Sequence, residues 1–227
     1  MFLESETLDA IPRSNNPRIV EPHYESRGIT KPSTSLRKLI KSLDLSKHPE
    51  GGYFKQTDKS PLIMENPYYP GDNSGVSTDI ETGDKKPLSP TRSFSTLIHY
   101  LITCDAPLGR FHKNKSRIIH ILQRGRGQYV LIYPDGRIKT FIVGFDTEKG
   151  EVDQWVVPGG VYKASFLLPK DPIKGESDED HLLISEVVVP GFEFEDHKFM
   201  PNEECLKRLV KDERKAEEMR WLLGVMR

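Results

Sequence analysis

Between residues 109 and 160 short β-rich runs alternate with turn residues, a pattern that leaves little choice of fold. The stretch opens at Gly109-Arg110-Phe111-His112, continues through Arg117-Ile118-Ile119-His120-Ile121-Leu122 and turns at Gly125-Arg126-Gly127. Tyr129-Val130-Leu131-Ile132-Tyr133 and Arg137-Ile138-Lys139-Thr140-Phe141-Ile142-Val143 flank Pro134-Asp135-Gly136, whose Pro and Gly supply hairpin backbone angles. Val156-Val157-Pro158-Gly159-Gly160 closes the run. Strands at such short, regular spacing predict a barrel or sandwich. His112 and His120 sit inside apolar strand runs, and a buried imidazole needs a partner or a purpose. A barrel with a polar central pocket is the expectation.

Composition narrows the partners. The chain has 227 residues and a net charge of -1, so no electrostatic footprint for a phosphate backbone exists and nucleic acid is not expected. Cys104 and Cys205 lie far apart without ligand spacing, which suits a reducing compartment. No apolar run approaches the ~18–20 residues that span a bilayer, and the start lacks the basic-then-apolar order of a secretory signal. The expected protein is soluble, without membrane contact, and cytoplasmic or shared between cytoplasm and nucleus.

Three regions follow from the pattern. Residues 1–31 are polar, rich in Pro, Asn, Ser and Arg, and read as a loosely held arm. Residues 32–200 read as one domain. Ser33-Thr34-Ser35 offers N-cap hydroxyls to a short helix with Leu36, Leu39, Ile40 and Leu43 on one face. A strand is expected from Tyr53, then a surface insertion over 64–91 with little regular structure. Strands resume at 95–102, a second hairpin joins 154–158 to 162–168, and 181–189 forms a last strand before Pro190-Gly191. The tail, 201–227, is helical, with Leu206, Leu209 and Val210 on one stripe and Met219, Leu222 and Leu223 beyond.

Several motifs occur in a familiar order. His48-Pro49-Glu50-Gly51-Gly52-Tyr53, the strand containing Thr96, Ile98, Tyr100 and Leu101, Phe111-His112, Val157-Pro158-Gly159 and Val189-Pro190-Gly191-Phe192-Glu193-Phe194-Glu195-Asp196 together resemble a poorly characterised cupin family, over residues 35 to 200. The likeness is closest to fungal members, which carry the long insertion. It implies an all-β fold, a jelly-roll β-barrel with a short N-terminal and a C-terminal helix, commonly dimeric, with a central pocket. It implies no settled reaction.

Metal-binding cupins generally present His-x-His, a later Glu and a final His, a set that suits a divalent first-row ion. Here only His112 matches. Asn114 takes the partner position, Ile118 or Ile119 the Glu position, and Lys163 the last histidine. No metal and no cofactor is expected, although His112 and His120 with Glu186 leave an irregular set open.

The candidate ligand-binding residues are Tyr53, Thr96, Tyr100, His112, His120, Gln128 and Glu186. His120 shares strand parity with Ile118 and Leu122 and should face the interior. Thr96 and Tyr100 share a face, and Tyr53 heads its own strand. Gln128 leads an apolar strand. Glu186 interrupts one, where a carboxylate must be paired or face a ligand. His112 could move a proton near neutral pH. Glu50 is expected to lock its turn by accepting backbone N–H bonds. The leading expectation is a homodimeric cupin binding a small polar or aromatic metabolite. One rival is a sugar-type isomerase or epimerase with His112 as base and a tyrosine as acid. Another is a non-catalytic structural or storage role.

Overall fold

The computed structural model describes residues 17–69, 76–78 and 85–224. Helix α1 (Thr34–Ser42) starts where expected, with the Ser33 hydroxyl accepting from the Leu36 N–H at 3.2 Å. The body is a roll of two antiparallel sheets. One contains β1 (Ser46–Lys47), β2 (Tyr53–Lys59), β7 (Thr96–Thr103), β9 (Arg117–Gly125), β12 (Gln154–Val157) and β14 (His181–Val189), in the order β1-β2-β7-β14-β9-β12. The other contains β8 (Leu108–Lys113), β10 (Gly127–Ile132), β11 (Ile138–Val143), β13 (Tyr162–Leu167) and β15 (Lys198–Phe199), in the order β11-β10-β13-β8-β15. This is the expected jelly roll.

Strand parity then sorts the side chains. Inward positions build a core of Tyr100, Ile102, Leu122, Tyr129, Leu131, Phe141, Trp155, Leu182 and Ile184. Outward positions of the second sheet, including Val130, Ile132, Ala164 and Phe166, are covered by the C-terminal helices through Leu206, Met219 and Leu222. Leu101 and Leu183, on the outer face of the first sheet, pack with Leu39 and Ile40 of α1 and with Leu43 just beyond it.

Four expectations need correction. The run at 154–158 and 162–168 is no hairpin: β12 pairs with β9 in one sheet and β13 with β10 and β8 in the other. Pro158-Gly159-Gly160 therefore carries the chain between sheets, and a Cβ on Gly159 would stand 1.9 Å from the Lys115 carbonyl oxygen. The insertion holds two small antiparallel ribbons, β3 (Ile63–Glu65) with β6 (Thr91–Ser93) and β4 (Val76–Thr78) with β5 (Lys85–Pro87). Residues 70–75 and 79–84 of it lie outside the described residues.

The arm is also anchored over its described part. Tyr24 is buried and donates to Asp180 at 3.1 Å, and Ile19 packs against the C-terminal helical core. Residues 1–16 lie outside the description. The tail is two helices, α2 (Glu203–Val210) and α3 (Glu213–Met219), because Lys211 takes a left-handed conformation and Asp212 caps the second. Among the described residues no helix is long and apolar enough to cross a membrane, and both cysteines are free.

Candidate functional site

The turn before β2 is built for one task, to bring residue 50 against the roll. Gly51 and Gly52 have φ of 109° and 71°, and a Cβ on Gly51 would meet the Leu108 carbonyl oxygen at 1.9 Å. The Arg110 N–H donates to the Glu50 carbonyl at 2.9 Å, and the Glu50 N–H to His48 Nδ1 at 3.2 Å. The Glu50 carboxylate is left free of the turn, contrary to its expected role as the turn lock. Instead Oε1 accepts from His197 Nε2 at 2.6 Å and lies 3.2 Å from His112 Nε2. The two imidazoles stack, with ring centroids 5.0 Å apart.

His197 follows a loop fixed from below. Asp196 is buried and paired with Arg92 of β6, with Lys115 at 3.8 Å, so the loop after β14 is pinned one residue before the imidazole. No expectation singled out His197. Its signal was present: it immediately follows the Phe192-Glu193-Phe194-Glu195-Asp196 run, and Phe192 and Phe199 pack edge-on against its ring.

A second constellation lies deeper. Lys163 Nζ donates to Glu186 Oε2 and to His120 Nε2, both at 3.0 Å. An ammonium has three N–H bonds, and among the described residues these are its two acceptors. His120 Nε2 must then be an acceptor and the ring neutral. Its pKa lies well below the usual range, through burial first and the Lys163 charge second. Burial raises the Glu186 pKa, with Lys163 opposing. His120 is fully buried, stacked on Trp155 at 4.9 Å and edge-on to Tyr129.

Lys163 is near enough to act on the Glu50 side as well. Burial pushes the His112 pKa down to about 3, with Glu50 pulling the other way and Lys163 adding to the depression. Burial disfavours charge on Glu50, yet the surrounding imidazoles of His112, His197 and His48 and the Lys163 ammonium hold its pKa well below the carboxylate range. The interior thus joins two carboxyl groups to one ammonium. Arg117 points to solvent and adds no charge to the interior.

Of the expected candidates, His112, His120 and Glu186 converge here and Tyr100 borders them. The Tyr100 hydroxyl donates to the Gly51 carbonyl at 2.9 Å, and burial raises its pKa well above the usual value. Three candidates do not join. Tyr53 lies on the outer face beneath α1, its hydroxyl donating to Asp105 at 2.6 Å. Gln128 faces outward from β10, because inward parity falls on Tyr129, and its amide holds the Pro17 and Arg18 carbonyls. Thr96 faces inward at a strand end, but its hydroxyl accepts from the Phe192 N–H at 3.1 Å.

The usual cupin ligand set fails on geometry as well as on residue type. Ile118 is core, and Lys163 stands between His120 and Glu186, so a cation cannot use that pair. The central side chains are closed off from bulk solvent: His112, His120, Lys163 and Glu186 are at most 6% exposed. Side chains of His48, Glu50 and His197 keep 10–12% exposure and mark where solvent reaches the centre. The described cavities lie elsewhere. The larger, about 1210 Å³, is bordered by Tyr24, Asp105 and Trp221, and the smaller, about 370 Å³, by Lys113, Tyr162 and Arg208.

Comparison with known proteins agrees with this architecture. Residues 37–200 match the family described as "Cupin superfamily (DUF985)". An uncharacterised protein of Saccharomyces cerevisiae is 56% identical over 186 residues, 82% of this chain and 85% of its own. A hypothetical protein from Leishmania major superposes with a TM-score of 0.61 at 25% identity, covering 80% of this chain and 96% of that one. A protein from Shewanella oneidensis gives a TM-score of 0.58 at 21% identity, covering 80% and 94%.

Proposed function

Because this chain belongs to the DUF985 family of the cupin superfamily, we propose that it binds a small polar or aromatic metabolite inside its β-roll. The observation that carries the reading is Lys163: a buried ammonium with two protein acceptors, stationed between His120 and Glu186. A guest that supplies an oxygen acceptor completes the third N–H bond, and a hydrogen bond to a charged donor inside the protein is among the stronger kinds. The Trp155 and Tyr129 rings beside His120 offer flat apolar walls for an unsaturated or ring-shaped body. Entry is past His48, Glu50 and His197, and it requires the Gly51-Gly52 turn or the segment at 192–199 to yield.

The isomerase reading gains no support from the geometry. A base must present its lone pair to the substrate, whereas His112 Nε2 is buried 3.2 Å from the Glu50 carboxylate. The Tyr100 hydroxyl, which borders the site, is occupied by the Gly51 carbonyl.

The test uses fluorescence. Trp155 lies in the roll and Trp221 packs against Phe166 beneath the C-terminal helices. In a Trp221→Phe protein, titration with phenolic acids, sugars and nucleotides should give a saturable Trp155 response for one class, matched by a higher melting temperature. Compounds that raise the melting temperature and leave Trp155 unchanged would move the binding site out of the roll.

A further inference from the structure

We propose that Glu50, His112 and His197 form a binding site for one divalent first-row transition ion, held by the Glu50 carboxylate and the two Nε2 atoms. One carboxylate oxygen and one nitrogen from each histidine all lie within 4.8 Å of one another. Bonds of about 2.0–2.2 Å place neighbouring ligands of an ion about 3 Å apart. The observed separations from Glu50 Oε1, 3.2 Å to His112 and 2.6 Å to His197, bracket that value.

The independent observation is the state of His112. Its Nδ1 lies 2.8 Å from the Arg110 carbonyl oxygen, which can only accept, so Nδ1 carries a hydrogen. Nε2 is buried and has no hydrogen-bond partner, although a carboxylate oxygen lies 3.2 Å away, off the line of its lone pair. An unpaired buried nitrogen lone pair beside an anionic oxygen is an unfavourable contact for the protein alone. A cation between them turns it into two bonds. The backbone carbonyl behind Nδ1 is the second-sphere partner that a metal-bound histidine characteristically has.

His197 supplies the third ligand after a proton shift. Its Nε2–H now donates to Glu50, so the hydrogen must move to Nδ1, through water that reaches this ring with its side chain 12% exposed. Two imidazoles and one carboxylate favour zinc, iron(II), cobalt(II) or nickel(II) over calcium and magnesium, which prefer oxygen. Three ligands from one side leave positions open for water. This set shares only His112 with the positions that other metal-binding cupins use, and it stands on its own geometry, whatever guest enters the roll.

Untagged full-length protein, stripped with chelator and titrated with cobalt(II), tests it by calorimetry and visible absorption. The expected result is one ion per chain with a nitrogen- and oxygen-ligated cobalt spectrum. Glu50→Gln and His197→Asn should each weaken binding by more than about a hundredfold, beyond the loss of a second-sphere partner. His181→Asn, at a partly exposed histidine outside this cluster, should leave it unchanged. Circular dichroism of the metal-free variants separates lost ligation from lost folding, and the wild-type stoichiometry decides the matter if a variant does not fold. Sub-stoichiometric binding by the wild type, or full binding by folded Glu50→Gln and His197→Asn proteins, overturns the proposal. Failure here leaves the Trp155 response untouched, so the two readings fall separately.

Discussion

His197 Nε2 stands 2.6 Å from Glu50 Oε1, a contact that joins the turn before β2 to the loop after β14 across 147 positions of sequence. Each partner is placed by a different device, Glu50 by two glycines with positive φ and His197 by the buried Arg92–Asp196 pair beneath it. Neither device depends on the other.

Lys163→Met should cost about 3–5 kcal/mol in urea unfolding, because it strands the Glu186 carboxylate in the roll without its counter-charge. The double variant Lys163→Met with Glu186→Leu should recover most of that loss, since an apolar replacement of the whole pair is often neutral. Equal losses in the single and double variants would show that Lys163 acts through packing instead.

Gly51→Ala should destabilise by at least about 2 kcal/mol, combining a left-handed backbone angle with a Cβ that needs the space of the Leu108 carbonyl. Gly150→Ala is the comparison. Its φ is 79° and no atom lies within 4 Å of the added Cβ, so about 1 kcal/mol is expected from the angle alone. Matching melting temperatures for the two variants would contradict the close approach.

Burial pushes the Cys104 thiol up to about 11, with Asp105 adding to the effect. A thiol in the unfolded chain ionises near 8.5. The folded state therefore keeps its proton where the unfolded state loses it. Stability from this group is intact below about pH 8.5 and is lost as pH rises toward about 11. A Cys104→Ala variant should show a shallower fall of unfolding free energy between about pH 8.5 and 10 than the wild type. In native protein at pH 8, iodoacetamide should label Cys205 first, and prior labelling of Cys104 in the folded state would refute its burial.

Tyr24→Phe removes a buried hydroxyl that donates to Asp180, at a cost of about 1.5 kcal/mol. Asp180 keeps bonds from the Lys170 and Ser177 N–H groups, which limits the damage. The variant should be cleaved faster between residues 17 and 31 by trypsin, and unchanged cleavage would mean that Ile19 and the Arg27–Glu176 pair hold the segment alone.

The strand pattern was legible because β-rich apolar runs end at turn residues: 181–189 and the hairpin around Pro134-Asp135-Gly136 lie where those runs place them. His112, His120 and Glu186 were legible as polar residues inside such runs, where burial demands a partner. Parity does not tell which sheet a strand joins, so β12 and β13 looked like one hairpin. It cannot tell what a loop carboxylate faces either, which is why Glu50 read as a turn lock. His197 follows a short 3₁₀ turn, Phe194–Asp196, with no period at all, and only the long-range Arg92–Asp196 pair shows where it points. Gln128 illustrates the opposite failure: a polar residue in a buried strand can face away from the roll's interior, here toward the Pro17 and Arg18 carbonyls.

The most direct measurement is an anomalous difference map from a crystal of the full-length protein grown with cobalt(II). The account predicts one strong peak per chain within about 2.0–2.2 Å of a Glu50 carboxylate oxygen and of Nε2 on both His112 and His197. Peaks confined to other histidines, such as the exposed His23 or the partly exposed His181, with none beside Glu50, would contradict it.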